Sequence, residues 1–327
     1  MSYLERYLTP LLPFIIDISV LEVSINTDGK VWVERAGDRH MKPVDVTPWL
    51  PSRISDLGSQ IAHSAKEKLT EQSPVVSTTI RTGGADLRAQ VIVAPAVTGG
   101  AAISFRLFRS AERAAKPHSF NYLRDDPFRS VEEERRELLQ KIVGAGKGGD
   151  VDPFLKAIVD NRLNVIVSGG TSTGKTELGR RLLSLVDPAE RIVTIEDSAE
   201  LLPALPNVVS LIASREAGSH RSADALLQAS LRLRPDRIIL GELRGSEAAT
   251  FLDAINTGHS GSFTTIHAET ARKAMERLAL LVLATGTRLG FEDVIRYLAN
   301  SIDVIVQMGQ QDGRRGITEI YFPGLGS

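Results

Sequence analysis

Eight residues, Gly169-Gly170-Thr171-Ser172-Thr173-Gly174-Lys175-Thr176, constrain this chain more than any other feature. They fit G-x-x-x-x-G-K-[ST] and lie between a strand-like run, Leu163 to Val167, and a helical pattern from Glu177 to Leu185. A glycine-rich turn there wraps backbone N–H groups around phosphate oxygens, and the helix N-terminus adds a favourable dipole. Lys175 is expected to bridge β- and γ-phosphates and the Thr176 hydroxyl to hold Mg²⁺. The pattern predicts a nucleoside triphosphate site with Gly169, Gly170, Thr171, Ser172, Thr173, Gly174, Lys175 and Thr176 as its cradle. The competing reading is an ordinary Gly-rich turn between strand and helix.

The surrounding pattern supports an α/β fold. From Asp152 onward, strand-like runs at 163–167, 191–195, 208–211, 237–240 and 262–266 alternate with helical stretches such as Ala223 to Leu233 and Ala271 to Leu283. Alternation of this kind favours a mostly parallel sheet covered on both faces. The runs 303–307 and 317–322 are expected to add strands at one end. Asp152-Pro153 reads as a helix start, with Asp as N-cap and Pro in the first helical position. Residues 20–108 read instead as a small α+β domain. Two β-branched runs flank Asn26-Thr27-Asp28-Gly29 as a hairpin, Ile54, Leu57, Ile61, Ala65 and Leu69 form one helical face, and three more strands follow. The expected division is an N-terminal domain 1–110, a linker 111–150 and a P-loop domain 151–327. Lys116-Pro117, Asp126-Pro127 and the Gly144 to Gly149 stretch mark the linker, with a short charged helix at 131–139 between them. No internal repeat is visible.

Composition excludes several function classes. The 39 Lys+Arg and 40 Asp+Glu are spread evenly, so no segment forms a basic sleeve for nucleic acid, and no basic stretch is interleaved with aromatics. With no cysteine there is no disulfide framework, thiolate metal site or Cys nucleophile. No run reaches the roughly 18 consecutive apolar residues of a membrane span. Glu5 and Arg6 stand where a signal peptide would begin its apolar stretch. A cytoplasmic protein is expected, with peripheral membrane association left open.

Other polar residues fall at strand ends, where ligands of open α/β sheets bind. Glu196 and Asp197 follow the run Arg191 to Ile195, with Glu200 just beyond, and Glu196 is placed to take a proton from an attacking water. A solvated strand-end pair or helix cap is the alternative. The run Arg237 to Gly241 ends at Glu242, where P-loop enzymes bring an acidic group towards Mg²⁺ or its waters. His267 ends the run Ser262 to Ile266. A strand-end histidine is often structural, but it shares its sheet edge with Lys175, Glu196 and Glu242.

In order along the chain, Gly169 to Thr176, Thr194-Ile195-Glu196-Asp197 with Glu200, Arg234-Pro235-Asp236-Arg237-Ile238-Ile239-Leu240-Gly241-Glu242-Leu243-Arg244, and Thr257-Gly258-His259 with Thr265-Ile266-His267-Ala268 resemble the four boxes of the secretion ATPase superfamily. The third stretch looks most like the type IV secretion and conjugal-transfer branch, and the resemblance covers roughly residues 20–322. It implies a RecA-like domain, ATP and Mg²⁺ as ligands, and a homohexameric ring peripheral to the cytoplasmic face of the inner membrane, working with the secretion machinery there. It further implies that Lys175, Glu196, Glu242 and His267 are catalytic, with Glu196 as base, Thr176 and Glu242 on the metal side and His267 on the γ-phosphate. Two N-terminal-domain arginines would reach that phosphate, mapped by position to Arg88 and Arg106; surface arginines on strands are the alternative. Ser172 departs from the family pattern, standing where relatives often have Gly. A type II secretion or pilus ATPase shares every box, and an ATP-binding assembly scaffold or a helicase are readings of other classes.

Overall fold

The structure, a computed structural model, describes residues 3–108, 120–146, 149–216 and 218–326. Lys116-Pro117, Lys147 and Gly148 of the expected linker lie outside the described residues.

The chain opens with helices α1 (Tyr3–Leu8) and α2 (Leu12–Ile16), joined by a 3₁₀ turn (Thr9–Leu11); together they bury Leu8, Leu11 and Ile15, and the sequence pattern did not announce them. Strands β1 (Val20–Ile25), β2 (Val31–Arg35) and β3 (Lys42–Pro43) follow, then α3 (Pro51–Ser64), β4 (Val75–Thr82), β5 (Ala85–Val93) and β6 (Ala101–Phe108). The expected hairpin joins β1 to β2. Gly29 is obligatory there, because φ is +82° and a Cβ would lie 2.1 Å from the Trp49 carbonyl oxygen. Next come α4 (Val131–Gly146), α5 (Val151–Asp160), β7 (Val165–Gly169), α6 (Lys175–Ser184), β8 (Ile192–Glu196), β9 (Val208–Ile212), α7 (Ala223–Ser230) and β10 (Arg237–Leu240). The chain ends through α8 (Glu247–Asn256), β11 (Phe263–Ile266), α9 (Ala271–Leu283), α10 (Phe291–Ser301), β12 (Val304–Gln311) and β13 (Arg314–Tyr321).

Contacts group these elements into two compact units, residues 1–111 with 187–241, and 112–186 with 242–327. In the first, six antiparallel strands run in the order β3-β2-β1-β6-β5-β4. α3 packs Ile54, Leu57 and Ile61 into a core with Val23, Ile25, Leu87, Val91 and Phe105. The same unit holds the parallel strands β10-β8-β9. Backbone pairing of Val97 and Thr98 with β9 and a buried guanidinium, Arg191, join these strands to the first sheet. Arg191 donates to Asn26 Oδ1 at 2.7 Å, Asn207 Oδ1 at 2.5 Å and the Leu233 carbonyl at 2.7 Å.

In the second unit the order is β13-β12-β7-β11, with β7 parallel to both neighbours and β13 antiparallel at the edge. β7 is buried along its length, which is why Val165, Ile166 and Val167 are apolar in succession instead of alternating with polar residues. Asp303, just before β12, accepts Arg135 at 2.6 and 2.8 Å and the Asn164 N–H at 2.7 Å, fixing α4 and the start of β7. Two local expectations change. The cap of α5 is Asp150, whose carboxylate accepts the Asp152 N–H at 3.1 Å. Pro153 falls later in the first turn, where proline costs nothing because N–H groups there have no intrahelical partner. α4 runs on to Gly146 because Leu139 and Ile142 are buried, and packing outweighs glycine's weak helix propensity.

Candidate nucleotide site

The P-loop hangs between β7 and α6. A Cβ on Gly169 would meet Thr173 Oγ1 at 2.5 Å and the Met308 carbonyl oxygen at 2.7 Å, so only glycine lets the loop close here. Gly174, at φ +98°, hands the chain into α6, whose first residue is Lys175. Ser172 sits at φ +60°, a left-handed conformation that glycine adopts at less cost. Lys175 Nζ donates to the carbonyls of Gly169 at 3.0 Å and Gly170 at 2.7 Å, which holds the ammonium over the loop. Burial lowers its pKa, with the Arg244 charge adding to that and Glu242 opposing it.

Glu242 lies in the same unit as the P-loop, beyond the end of β10. The Leu243 N–H donates to the Thr265 carbonyl at 2.9 Å, which ties this segment to β11 and so to His267. Glu242 Oε2 accepts Arg244 Nη2 at 2.6 Å, and Oε1 is 3.4 Å from His267 Nε2. Partial burial works against its charge, but the Arg244 hydrogen bond and the fields of His267, Arg244 and Lys175 outweigh it and hold the carboxyl below its ordinary pKa. The structure thus brings together Lys175, Glu242 and His267. It adds two residues to which sequence reasoning gave no role. Arg244 completes the cluster, and buried Glu247 accepts the N–H groups of Arg244 (2.6 Å) and Gly245 (2.7 Å) on one oxygen, pinning the turn that presents it. The signal for Glu247 was local, an acid in the first turn of a helix. Thr176 is half-buried in the first turn of α6.

The remaining candidates lie in the first unit. Glu196, buried at the end of β8, accepts the N–H groups of Glu200 at 3.1 Å and Leu201 at 3.0 Å on Oε1. Glycine at 241 lets β10 pass this carboxylate, since a Cβ there would lie 3.3 Å from Glu196 Cγ. Asp197 pairs with Arg215 at 2.7 Å. Arg88 and Arg106 stand directly opposite each other on β5 and β6, their guanidinium carbons 5.0 and 5.8 Å from the centre of the Phe108 ring. Like charges in register destabilise a sheet unless an anion lies between them. The neighbouring acid is Glu22, 3.8 Å from Arg106.

A family model described as "Type II/IV secretion system protein" matches residues 129–312. The chain is 33% identical over 332 residues to the type IV secretion system protein VirB11 of Bartonella quintana (strain Toulouse), covering 96% of this chain and 91% of that protein. This chain belongs to the type II/IV secretion system family, in its VirB11 branch. It is also 31% identical over 307 residues to the conjugal transfer protein TrbB of Rhizobium radiobacter, covering 93% of this chain and 84% of that protein. Among solved structures, the crystal structure of the VirB11 ATPase from the Brucella suis type IV secretion system, in complex with sulphate, matches with a TM-score of 0.80. That match covers 98% of each chain at 30% identity. The fold is therefore the α/β one that the sequence resemblance implied, a RecA-like P-loop domain with a smaller N-terminal α+β domain.

Proposed function

We propose that the protein is a Mg²⁺-dependent ATPase that energises type IV secretion or conjugal transfer as a homohexameric ring. The observation that carries this reading is the cluster of Lys175, Glu242, Arg244 and His267 at the P-loop. One cation is folded over the loop carbonyls, and one carboxylate is kept ionised by its neighbours. Gly169, whose Cβ position is blocked, Gly174 at positive φ and an ionised carboxylate beside the loop fit a nucleotide and its divalent cation. Thr176 and, through water, Glu242 would hold the Mg²⁺, which when bound neutralises phosphate charge.

The protein's own groups divide the remaining work. Loop N–H groups and Lys175 bind the β- and γ-phosphates, and His267 contacts the γ-phosphate. Glu196 takes the proton of a water whose oxygen attacks the γ-phosphorus, so that the bond to the ADP oxygen breaks and phosphate leaves. Arg88 and Arg106 offer guanidinium forks to the oxygens on which charge accumulates. In this reading the N-terminal domain (1–110) and the linker (111–150) serve the nucleotide site and the ring, and residues 151–327 are the RecA-like ATPase domain. The ring sits peripherally on the cytoplasmic face of the inner membrane with other secretion components. The balanced charge suits a protein or pilus cargo better than a grip on nucleic acid.

Steady-state ATP hydrolysis with Mg²⁺ tests the reading. Lys175→Ala abolishes turnover and Glu196→Gln binds ATP but turns over poorly. Specific activity that climbs with protein concentration and then saturates marks an assembling ring. Full turnover by Lys175→Ala would overturn the ATPase assignment.

A further inference from the structure

On the sheet that carries Arg106, β1 lies between β2 and β6. In cross-strand register, Glu22 on β1 faces Glu34 on β2 and Arg106 on β6. Directly opposed residues share a face, so two carboxylates lie side by side with Arg106 beyond them. Glu22 is buried, and burial together with the Glu34 charge pushes its pKa up to about 7. Arg234, from the turn before β10, completes this row. Its Nε and Nη2 donate to the two oxygens of Glu34 at 2.9 and 2.6 Å, a bidentate fork, and its Nη1 donates to Asp236 at 2.5 Å. The other oxygen of Asp236 accepts the Arg191 N–H at 2.7 Å, just before β8, and lies 3.1 Å from His40 Nδ1. Arg234 adopts this pose at φ +56°, a conformation that a non-glycine residue holds only where its surroundings over-determine it.

The charge balance gives this row a consequence for Arg106. With Arg234 in place, both oxygens of Glu34 are occupied and the contact between Glu22 and Arg106 stays loose at 3.8 Å. The Arg106 side chain then remains 64% exposed. Without Arg234, a nearly buried carboxylate would stand unpaired, at large cost. One strand beyond Glu22, on the same face, lies the Arg106 guanidinium. Capture by the two acids would draw it off the surface. We propose that Arg234 is a positioning residue for Arg106: by neutralising Glu34, it keeps the Arg106 guanidinium free to take the γ-phosphate of ATP. The proposal rests on the reading of Arg106 given above and extends it to a residue that touches no substrate.

The test measures KM for ATP, kcat and the Kd for ADP in the full-length protein. Arg234→Gln is expected to raise KM for ATP roughly ten-fold while the Kd for ADP, which lacks the γ-phosphate, stays within two-fold, about the effect of one lost charge-assisted contact. Adding Glu34→Gln removes the unpaired charge and should restore most of the loss. In an Arg106→Ala background, Arg234→Gln should add nothing. Should Arg234→Gln fail to fold, Arg234→Lys carries the test. It keeps the charge without the fork, so neutralisation predicts KM within two-fold, whereas a ten-fold rise would overturn the proposal. Equal losses for ATP and ADP, no rescue by Glu34→Gln, or effects of Arg234→Gln and Arg106→Ala that simply multiply would also overturn it. An Arg106→Ala single variant with unchanged KM for ATP would instead remove the reading of Arg106 on which the proposal stands.

Discussion

Four arginines of the first unit divide into two pairs with opposite surroundings. Arg191 is fully buried and donates to two Asn oxygens and a carbonyl, and Arg234 spends both faces of its fork on Glu34 and Asp236. Burial lowers the Arg191 pKa to about 10, while the carboxylates around Arg234 outweigh its burial and raise its pKa. Arg88 and Arg106 face each other across a strand pair, exposed, over one aromatic ring and beside a single loosely placed acid. A guanidinium whose donors are met by the protein holds the fold together. In the reading proposed above, two that are set against each other, exposed on the sheet, receive an anion that arrives from solution.

Substitution should separate the pairs most sharply at Arg191. Arg191→Met leaves the Asn26 Oδ1 and the Leu233 carbonyl without their donor, while Asn207 Oδ1 keeps Asn26 Nδ2, and should lower unfolding stability by about 3–5 kcal/mol, at roughly 1–3 kcal/mol for each orphaned acceptor. Chemical denaturation reads it, and a loss below about 1 kcal/mol would break the comparison. Arg106→Ala should do the reverse. Stability stays within about 0.5 kcal/mol, while kcat/KM for ATP falls on the order of a hundred-fold, as when one donor to developing charge is removed.

The third prediction concerns pH. Glu22 has its folded pKa raised from 4.5 to about 7, so the native state holds a proton that the unfolded chain has released. Between those values its contribution to stability falls as pH rises, by roughly 3 kcal/mol at most. Glu22→Gln should flatten the pH dependence of the melting temperature over that window, and an unchanged slope would place the titration elsewhere. The smallest effect is expected at Ser172. Ser172→Gly relieves a left-handed φ but frees the unfolded chain, so thermal unfolding should show a gain of about 0.5 kcal/mol or less.

Much of this was legible in the sequence wherever a local rule dominates. The P-loop, the Asp28-Gly29 turn and the helix at Ala271–Leu283 depend on glycine conformation or on one apolar face, and these can be read from neighbouring residues. The helices at Tyr3–Ile16 were missed because they are short and their stability comes from burying Leu8, Leu11 and Ile15 against distant strands. Arg244 and Glu247 were missed for the opposite reason: their partners Glu242, Arg244 and Gly245 lie two or three residues away, but no local pattern says which of several neighbouring charges meet. Arg191 and Arg234 were the hardest to read. Their partners Asn26 and Glu34 lie 165 and 200 residues away in the chain, and no spacing rule reaches that far.

The central claim, that exposed arginines on an N-terminal sheet read the terminal phosphate of a nucleotide held by the P-loop, is tested most directly by titrating ATP and ADP against the wild-type protein and Arg106→Ala under the same Mg²⁺ conditions. The account predicts that the variant binds ADP as the wild type does, loses its preference for ATP and hydrolyses it on the order of a hundred-fold more slowly. Equal affinity of the two proteins for ATP, with equal turnover, would contradict it.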